Sequence, residues 1–279
     1  MKLLIIILSV VLNLVSAKPL EDELKLFELN LEVPSDPDKW IYQGVLKRDG
    51  RISNGQQASN TQFPWTAELS INLNNGGLLC TASLISNKWI LGARHCIADT
   101  NAVSVQASLG SADRQANRVK VFADKFVWLN SASGTNHPDI ALFQLSQTVA
   151  LNSYVNSVRL PAKSQASLTY EGQTITAAGW GGVGGGALSR YLQWTQFRVL
   201  SLSQCDLGIY LCSQPASGSS SLEGGDSGGP SVIYENGTPT IVGINVMVVT
   251  SGSNKYQGST RVNRYLGFIS DVTGISLRS

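Results

Sequence analysis

Three side chains carry most of the chemistry open to this chain: a serine among glycines, a histidine beside a cysteine, and an aspartate heading an apolar run. Gly224-Gly225-Asp226-Ser227-Gly228-Gly229-Pro230 holds Ser227 on a loop whose neighbours mostly lack side chains, so a ligand can approach its hydroxyl closely. The N–H groups of Gly225 and Ser227 can then point at one small volume, which suits a developing oxyanion. Taken alone, in a chain with 27 Gly, the string is also what a Gly-rich turn looks like. His95, one of two histidines, follows an apolar run and precedes Cys96. A disulfide there would pin the imidazole, and a general base must be held within hydrogen-bond reach of its nucleophile. Asp139 opens Asp139-Ile140-Ala141-Leu142-Phe143-Gln144-Leu145, either as an ordinary turn residue or as a partly buried carboxylate, which needs a partner. His137, next to Pro138, reads as a loop residue.

The elements that must position these groups are short strands. Apolar runs at 66–71, 78–85, 89–91, 119–122, 140–145, 174–178, 231–234 and 240–249 are separated by Gly, Asn, Ser and Pro clusters. That pattern predicts an all-β antiparallel sandwich or barrel. Asn236-Gly237 predicts a tight hairpin, since both centres of such a turn need positive φ. An Asn-x-Thr glycosylation pattern at Asn236 overlaps the same residues, and the turn explains them already. Val262, Leu266 and Ile269 fall on one helical face near the C-terminus, with Asn263 as cap and Gly274 as stop. The 279 residues can bury a large core in one or two domains, and a net charge of +2 argues against binding nucleic acid by broad phosphate neutralisation. Two histidines, no Cys-x-x-Cys and no His-Glu-x-x-His argue against a metal centre; no cofactor is expected.

Lys2 and the apolar run that follows it, closing at Val15-Ser16-Ala17, read as a secretory signal peptide over residues 1–17, too short for a membrane anchor. Secretion places the four Cys in an oxidising compartment and suggests two disulfides. Residues 18–51 change character, with six Lys or Arg against eight Asp or Glu, and include a turn-rich stretch at 33–38. They read either as a disordered arm or as a propeptide ending at Arg51, before Ile52.

Arg51-Ile52-Ser53-Asn54-Gly55, Phe63-Pro64-Trp65, Ala93-Arg94-His95-Cys96, Asp139-Ile140-Ala141-Leu142, Gly179-Trp180-Gly181, Gly225-Asp226-Ser227-Gly228-Gly229-Pro230 and Thr260-Arg261-Val262 together resemble the trypsin-like, chymotrypsin-fold serine peptidases, in the pattern of secreted invertebrate chymotrypsin-like or elastase-like enzymes. The resemblance spans Ile52 to the C-terminus and keeps the order His, Asp, Ser. It implies two packed six-stranded antiparallel β-barrels with a C-terminal helix, and a peptidase domain at 52–279 whose halves meet near residue 160. It implies Ser227 as nucleophile, His95 as base, Asp139 as the group orienting the base, and Gly225 and Ser227 as oxyanion donors. Activation would follow a cut after Arg51 by an Arg-specific protease, with the new Ile52 ammonium pairing with Asp226. Without Cys, the propeptide would then depart. Implied disulfides are Cys80–Cys96 and Cys205–Cys212. Partners would be protein or peptide substrates and protein inhibitors, for a secreted monomer.

The sequence also departs from that family's pattern. Glu223 stands where a bridging Cys is common, leaving the pocket walls freer to move. Ser221 is expected at the pocket floor, with no Asp between Cys212 and Glu223, which disfavours Lys or Arg substrates. Val246, Met247 and Val248 form an apolar wall, suited to chymotrypsin-like or elastase-like preference, and Val246 removes a Ser hydroxyl expected on Asp139. Thr81-Ala82 and Arg94 replace smaller residues. The alternative reading is a weakly active or inactive homologue serving as a binding or regulatory module.

Overall fold

A computed structural model describes residues 24–30, 55–98, 100–131, 137–182, 188–204, 210–251 and 254–279. The signal segment 1–17, the linker 33–38, Arg51, Ile52 and Cys205 lie outside these residues.

Fourteen strands are described: β1 (Leu24–Asn30), β2 (Gln56–Gln57), β3 (Thr66–Leu73), β4 (Gly76–Leu84), β5 (Trp89–Gly92), β6 (Ala102–Leu109), β7 (Val119–Ser131), β8 (Ala141–Leu145), β9 (Thr174–Gly179), β10 (Gln193–Val199), β11 (Tyr210–Pro215), β12 (Pro230–Glu235), β13 (Thr238–Ser251) and β14 (Asn254–Arg261). They form two closed six-stranded antiparallel barrels. In the first, β7, β6, β3, β4, β5 and β8 follow one another, and β8 returns to β7. In the second, β11, β14, β13, β12, β9 and β10 do the same, with β10 returning to β11. Closure pairs most of each ring strand with neighbours on both sides and so removes most of the open edge that would otherwise invite aggregation. Each barrel gains one strand outside its ring, β1 beside β7 and β2 beside β10.

The predicted apolar runs fall on β3, β4, β5, β7, β8, β9, β12 and β13. In β3 and β8 nearly every residue is buried, because one face fills the barrel and the other packs against the rest of the molecule. Leu69, Ile71, Ile90, Leu91, Phe126, Phe143 and Trp180 are fully enclosed in a core that continues from the first barrel to Val232, Ile241 and Ile244 of the second. Asn236 and Gly237 link β12 to β13 with φ of 51° and 78°, the hairpin turn the dipeptide requires.

The C-terminal helix differs in detail from its expectation. Val262–Tyr265 is a 3₁₀ turn, and α1 runs over Leu266–Thr273. Gly274 ends it in the left-handed conformation, φ 71°. Asn263 does not cap this helix. Its side chain is buried, and Nδ2 donates to the carbonyls of Gln165 (2.7 Å) and Leu168 (2.9 Å), satisfying a connecting loop instead.

Candidate active site

His95 is held from two directions. It sits in the short 3₁₀ turn Arg94–Cys96 after β5, and Cys96 is bonded to Cys80 of β4. Asp139 lies just before β8, the neighbour of β5, so strand pairing brings the two residues together across 44 positions of sequence. One carboxylate oxygen of Asp139 accepts the His95 backbone N–H at 2.9 Å, and the other lies 2.6 Å from His95 Nδ1. The carboxylate thereby fixes both the turn and the ring. It leaves Nε2 as the imidazole nitrogen able to serve a second group. No wall hydroxyl is needed for this: Thr260 donates to the Asp139 carbonyl at 2.8 Å and secures the backbone there. Arg94 is likewise built in, its Nε donating to Asn130 Oδ1 of β7 at 2.7 Å. Cys80, His95 and Cys96 are the one grouping with metal-ligand spacing among the described residues, but both sulfurs are in the disulfide.

Ser227 comes from the second barrel, on the loop ahead of β12. Positive φ at Gly225 (101°) and Gly228 (83°) turns the loop sharply on both sides of Asp226 and Ser227. At Gly228 a Cβ would also collide with the Thr81 carbonyl. The loop is fastened to the first barrel by β4: Thr81 N–H donates to the Ser227 carbonyl (2.9 Å) and Thr81 Oγ1 to the Gly225 carbonyl (2.8 Å). Among the described residues, the N–H groups of Gly225 and Ser227 have no intramolecular acceptor. They remain available to a ligand. His95, Ser227 and Gly225 line one cavity of about 300 Å³, together with Leu79, Leu188 and the disulfide.

Asp226 points away from this cavity, and its residue is entirely enclosed. Its carboxylate accepts N–H groups from Gly181 (2.8 Å) and Glu223 (2.9 Å). Gly179 and Gly181 form its cradle, since a Cβ on Gly181 would lie 2.5 Å from the carboxyl carbon. That requirement accounts for the Gly-Trp-Gly string. Burial pushes the acid up to about 7 despite those hydrogen bonds, and the nearby Glu223 charge pushes the same way. Among the described residues no cation pairs with it.

A second cavity of about 230 Å³ adjoins Ser227 and is lined by Leu222, Glu223, Gly224, Asp226 and the β13 segment Asn245 to Val248. A bulge between Asn245 and Met247 in the pairing with β14 sets Val246 apart, and Met247 lies over Gly258, where a Cβ would meet its Cγ at 2.7 Å. Val248 is at the rim, 40% exposed. Ser221 is not in the lining. It is buried, and Gln257 of β14 reaches it at 3.5 Å and accepts the Leu222 N–H at 3.3 Å. Buried Gln257 thus ties the wall to β14, beside the place where a disulfide was expected to be missed. Cys212 is disulfide-bonded, and its expected partner Cys205 lies outside the described residues. Thr81, Thr260, Asn130 and Gln257 were not singled out for these roles by sequence reasoning. A hydroxyl or amide inside a strand shows nothing of the distant carbonyl it will meet.

The chain matches the family described as Trypsin over residues 52–269. It is 33% identical to a collagenase of Hypoderma lineatum over 242 residues, 82% of this chain and 89% of that protein. It is 32% identical to serine protease 1 of Drosophila melanogaster over 236 residues (81% and 87%), and 29% identical to a chymotrypsin of Phaedon cochleariae over 256 residues (86% and 90%). A solved HL collagenase structure superposes with a TM-score of 0.68 at 30% identity, covering 80% of this chain and 99% of that one.

Proposed function

The chain belongs to the trypsin family of serine proteases and is a serine endopeptidase, and we propose that Ser227, His95 and Asp139 are its catalytic triad. The observation that carries this reading is the double hold of Asp139 on His95, beside a cavity that also contains Ser227 and the Gly225 N–H. With Nδ1 bound to Asp139, Nε2 takes the Ser227 proton as Oγ attacks the substrate carbonyl. Asp139 stabilises the imidazolium that results. The N–H groups of Gly225 and Ser227 receive the oxyanion. His95 returns the proton to the leaving amine, and water then hydrolyses the acyl-enzyme by the same steps. A fluorescent fluorophosphonate should label the activated protein at Ser227, and the label should vanish in Ser227→Ala. Absence of labelling in the intact, cleaved chain would instead favour an inactive homologue.

The protein is secreted through residues 1–17 and made as a zymogen cut after Arg51 by an Arg-specific protease. The support is chemical: Asp226 is a buried acid with no cation among the described residues, and the Ile52 ammonium would supply one. N-terminal sequencing of the active form should begin at Ile52. For specificity, the wall of Leu222, Val246 and Met247 favours apolar side chains over Lys or Arg. A peptide library should show cleavage after large or medium apolar residues, and a clear preference for Lys or Arg would overturn that assignment. Protein and peptide substrates, and protein inhibitors that imitate them, are the expected partners of the monomer.

A further inference from the structure

Residues Leu24–Asn30, from the segment read as propeptide, are a strand of the first barrel's sheet. β1 lies antiparallel to the far half of β7, from Leu24 opposite Ser131 to Asn30 opposite Lys125. The barrel itself does not use this edge. β6 covers β7 only from Val119 to Ala123, while β8 occupies the other side from Ala123 to Trp128. From Lys125 to Asn130, without β1, this side of β7 would have no strand partner, the kind of edge to which extended peptides add as strands. Side chains reinforce the pairing. Leu29 packs half-buried against the main core, and Glu28 forms an ion pair with Lys125 at 3.0 Å. On the same face as Glu28, Leu26 joins Val127, Leu129, Tyr265 and Phe268 around a groove of about 550 Å³ between β1 and the C-terminal helix.

Resting on the cut after Arg51 proposed above, we propose that the cut does not release the propeptide: residues 24–30 stay on β7 as a noncovalent extra strand, making the activated enzyme a two-chain molecule. The cut falls well beyond the paired segment, so all seven paired residues remain on one fragment. This replaces the expectation that a propeptide without Cys departs.

The test uses the zymogen carrying Ser227→Ala, to prevent self-digestion, with Arg48→Ile and Asp49→Glu. Together with Gly50 and Arg51 these changes make a factor Xa site whose cut still falls after Arg51. After cleavage, native gel filtration at micromolar concentration should show the N-terminal fragment co-eluting with the 52–279 fragment, each identified by mass and separating only in denaturant. Elution of the small fragment by itself would overturn the proposal. Lys125→Glu should lower the retained fraction several-fold, and adding Glu28→Lys should restore it. Leu29→Asp should lower it by about tenfold or more, from loss of apolar burial. Retention indifferent to all of these would show that the strand is not what holds the fragment. Because factor Xa makes the cut, an error in the activation reading shows separately, as wild-type enzyme active without an Ile52 terminus.

Discussion

The two barrels bring unequal halves to the cleft. The half from the first barrel is complete: the carboxylate of Asp139 has its partners, both from His95, and His95 is pinned by the disulfide on its other side. The half from the second barrel contains an internal conflict. Asp226, next to Ser227, is enclosed and has hydrogen bonds, yet no counter-charge among the described residues. An acid with two N–H donors is still disfavoured as an anion when fully buried, which is why it titrates near 7. If the activation proposed above holds, nothing on the His95 side needs to change, whereas the Ser227 loop encloses an acid with no counter-charge among the described residues.

Breaking the finished half should have the largest effect. Asp139→Asn in the cleaved enzyme should lower kcat by about 10⁴, a magnitude taken from the handling of this triad in related proteases, through the wrong imidazole tautomer. Folding should be little changed, because the amide oxygen can still accept the His95 N–H. A kcat within tenfold of wild type would mean that Asp139 does not orient the base.

The unfinished half should reveal itself through pH. In the unfolded chain Asp226 ionises near its ordinary value of 3.8, but in the folded, uncut chain only near 7. Between about pH 4 and pH 7 the folded state therefore holds a proton that the unfolded state has released, so this group's contribution is full at low pH and is lost as pH rises. The loss is on the order of 4 kcal/mol across the window, and it levels off above it. Cleavage should remove most of that loss by supplying the Ile52 ammonium. Urea unfolding of the Ser227→Ala zymogen and of its cleaved form, at about pH 5 and about pH 8, checks this: the gap between the two forms should widen at the higher pH. Parallel behaviour would argue that Ile52 never reaches Asp226. Gly228→Ala should cost less, about 2 to 4 kcal/mol, from positive φ and from collision with the Thr81 carbonyl. Differential scanning calorimetry would register it, and an unchanged transition would mean that the loop can relax around the new methyl.

What was legible in the sequence follows the same physics. The predicted runs that became β3, β4, β8, β9 and β12 announced themselves because burial demands continuous apolar residues. Strands Ala102–Leu109, Gln193–Val199, Tyr210–Pro215 and Asn254–Arg261 did not, since small and polar residues serve equally well where the ladder is closed by neighbours on both sides. β1 escaped notice for another reason: Leu24 to Asn30 gain their strand only from an edge left open 100 residues later. The glycines flanking Ser227 and Trp180 were legible as motifs, but the reason for the second pair, room for the Asp226 carboxylate, is a tertiary fact. The burial of Ser221 and its contact with Gln257 of β14 are likewise tertiary facts that the sequence around Ser227 does not show.

The smallest predicted effect concerns the seam between the halves. Thr81 belongs to the first barrel, and its hydroxyl is the side-chain donor to the carbonyl of Gly225, the residue whose N–H is proposed to bind the oxyanion. Thr81→Val keeps the shape, removes the donor and leaves that carbonyl wanting a partner, so stability should fall by about 1 to 2 kcal/mol. Activity separates two meanings of the bond. If it merely glues the barrels together, kcat should follow wild type once the protein is folded. If it sets the Gly225 peptide, kcat should drop by about tenfold with KM little altered, because the misaimed N–H matters most in the transition state. Thr81→Ser restores the hydroxyl without the methyl and should recover kcat while leaving some stability lost. Failure of Ser to rescue would assign the residue to packing, and the two halves of the site would then be joined by the Thr81 backbone and by the bond from Thr260 to the Asp139 carbonyl.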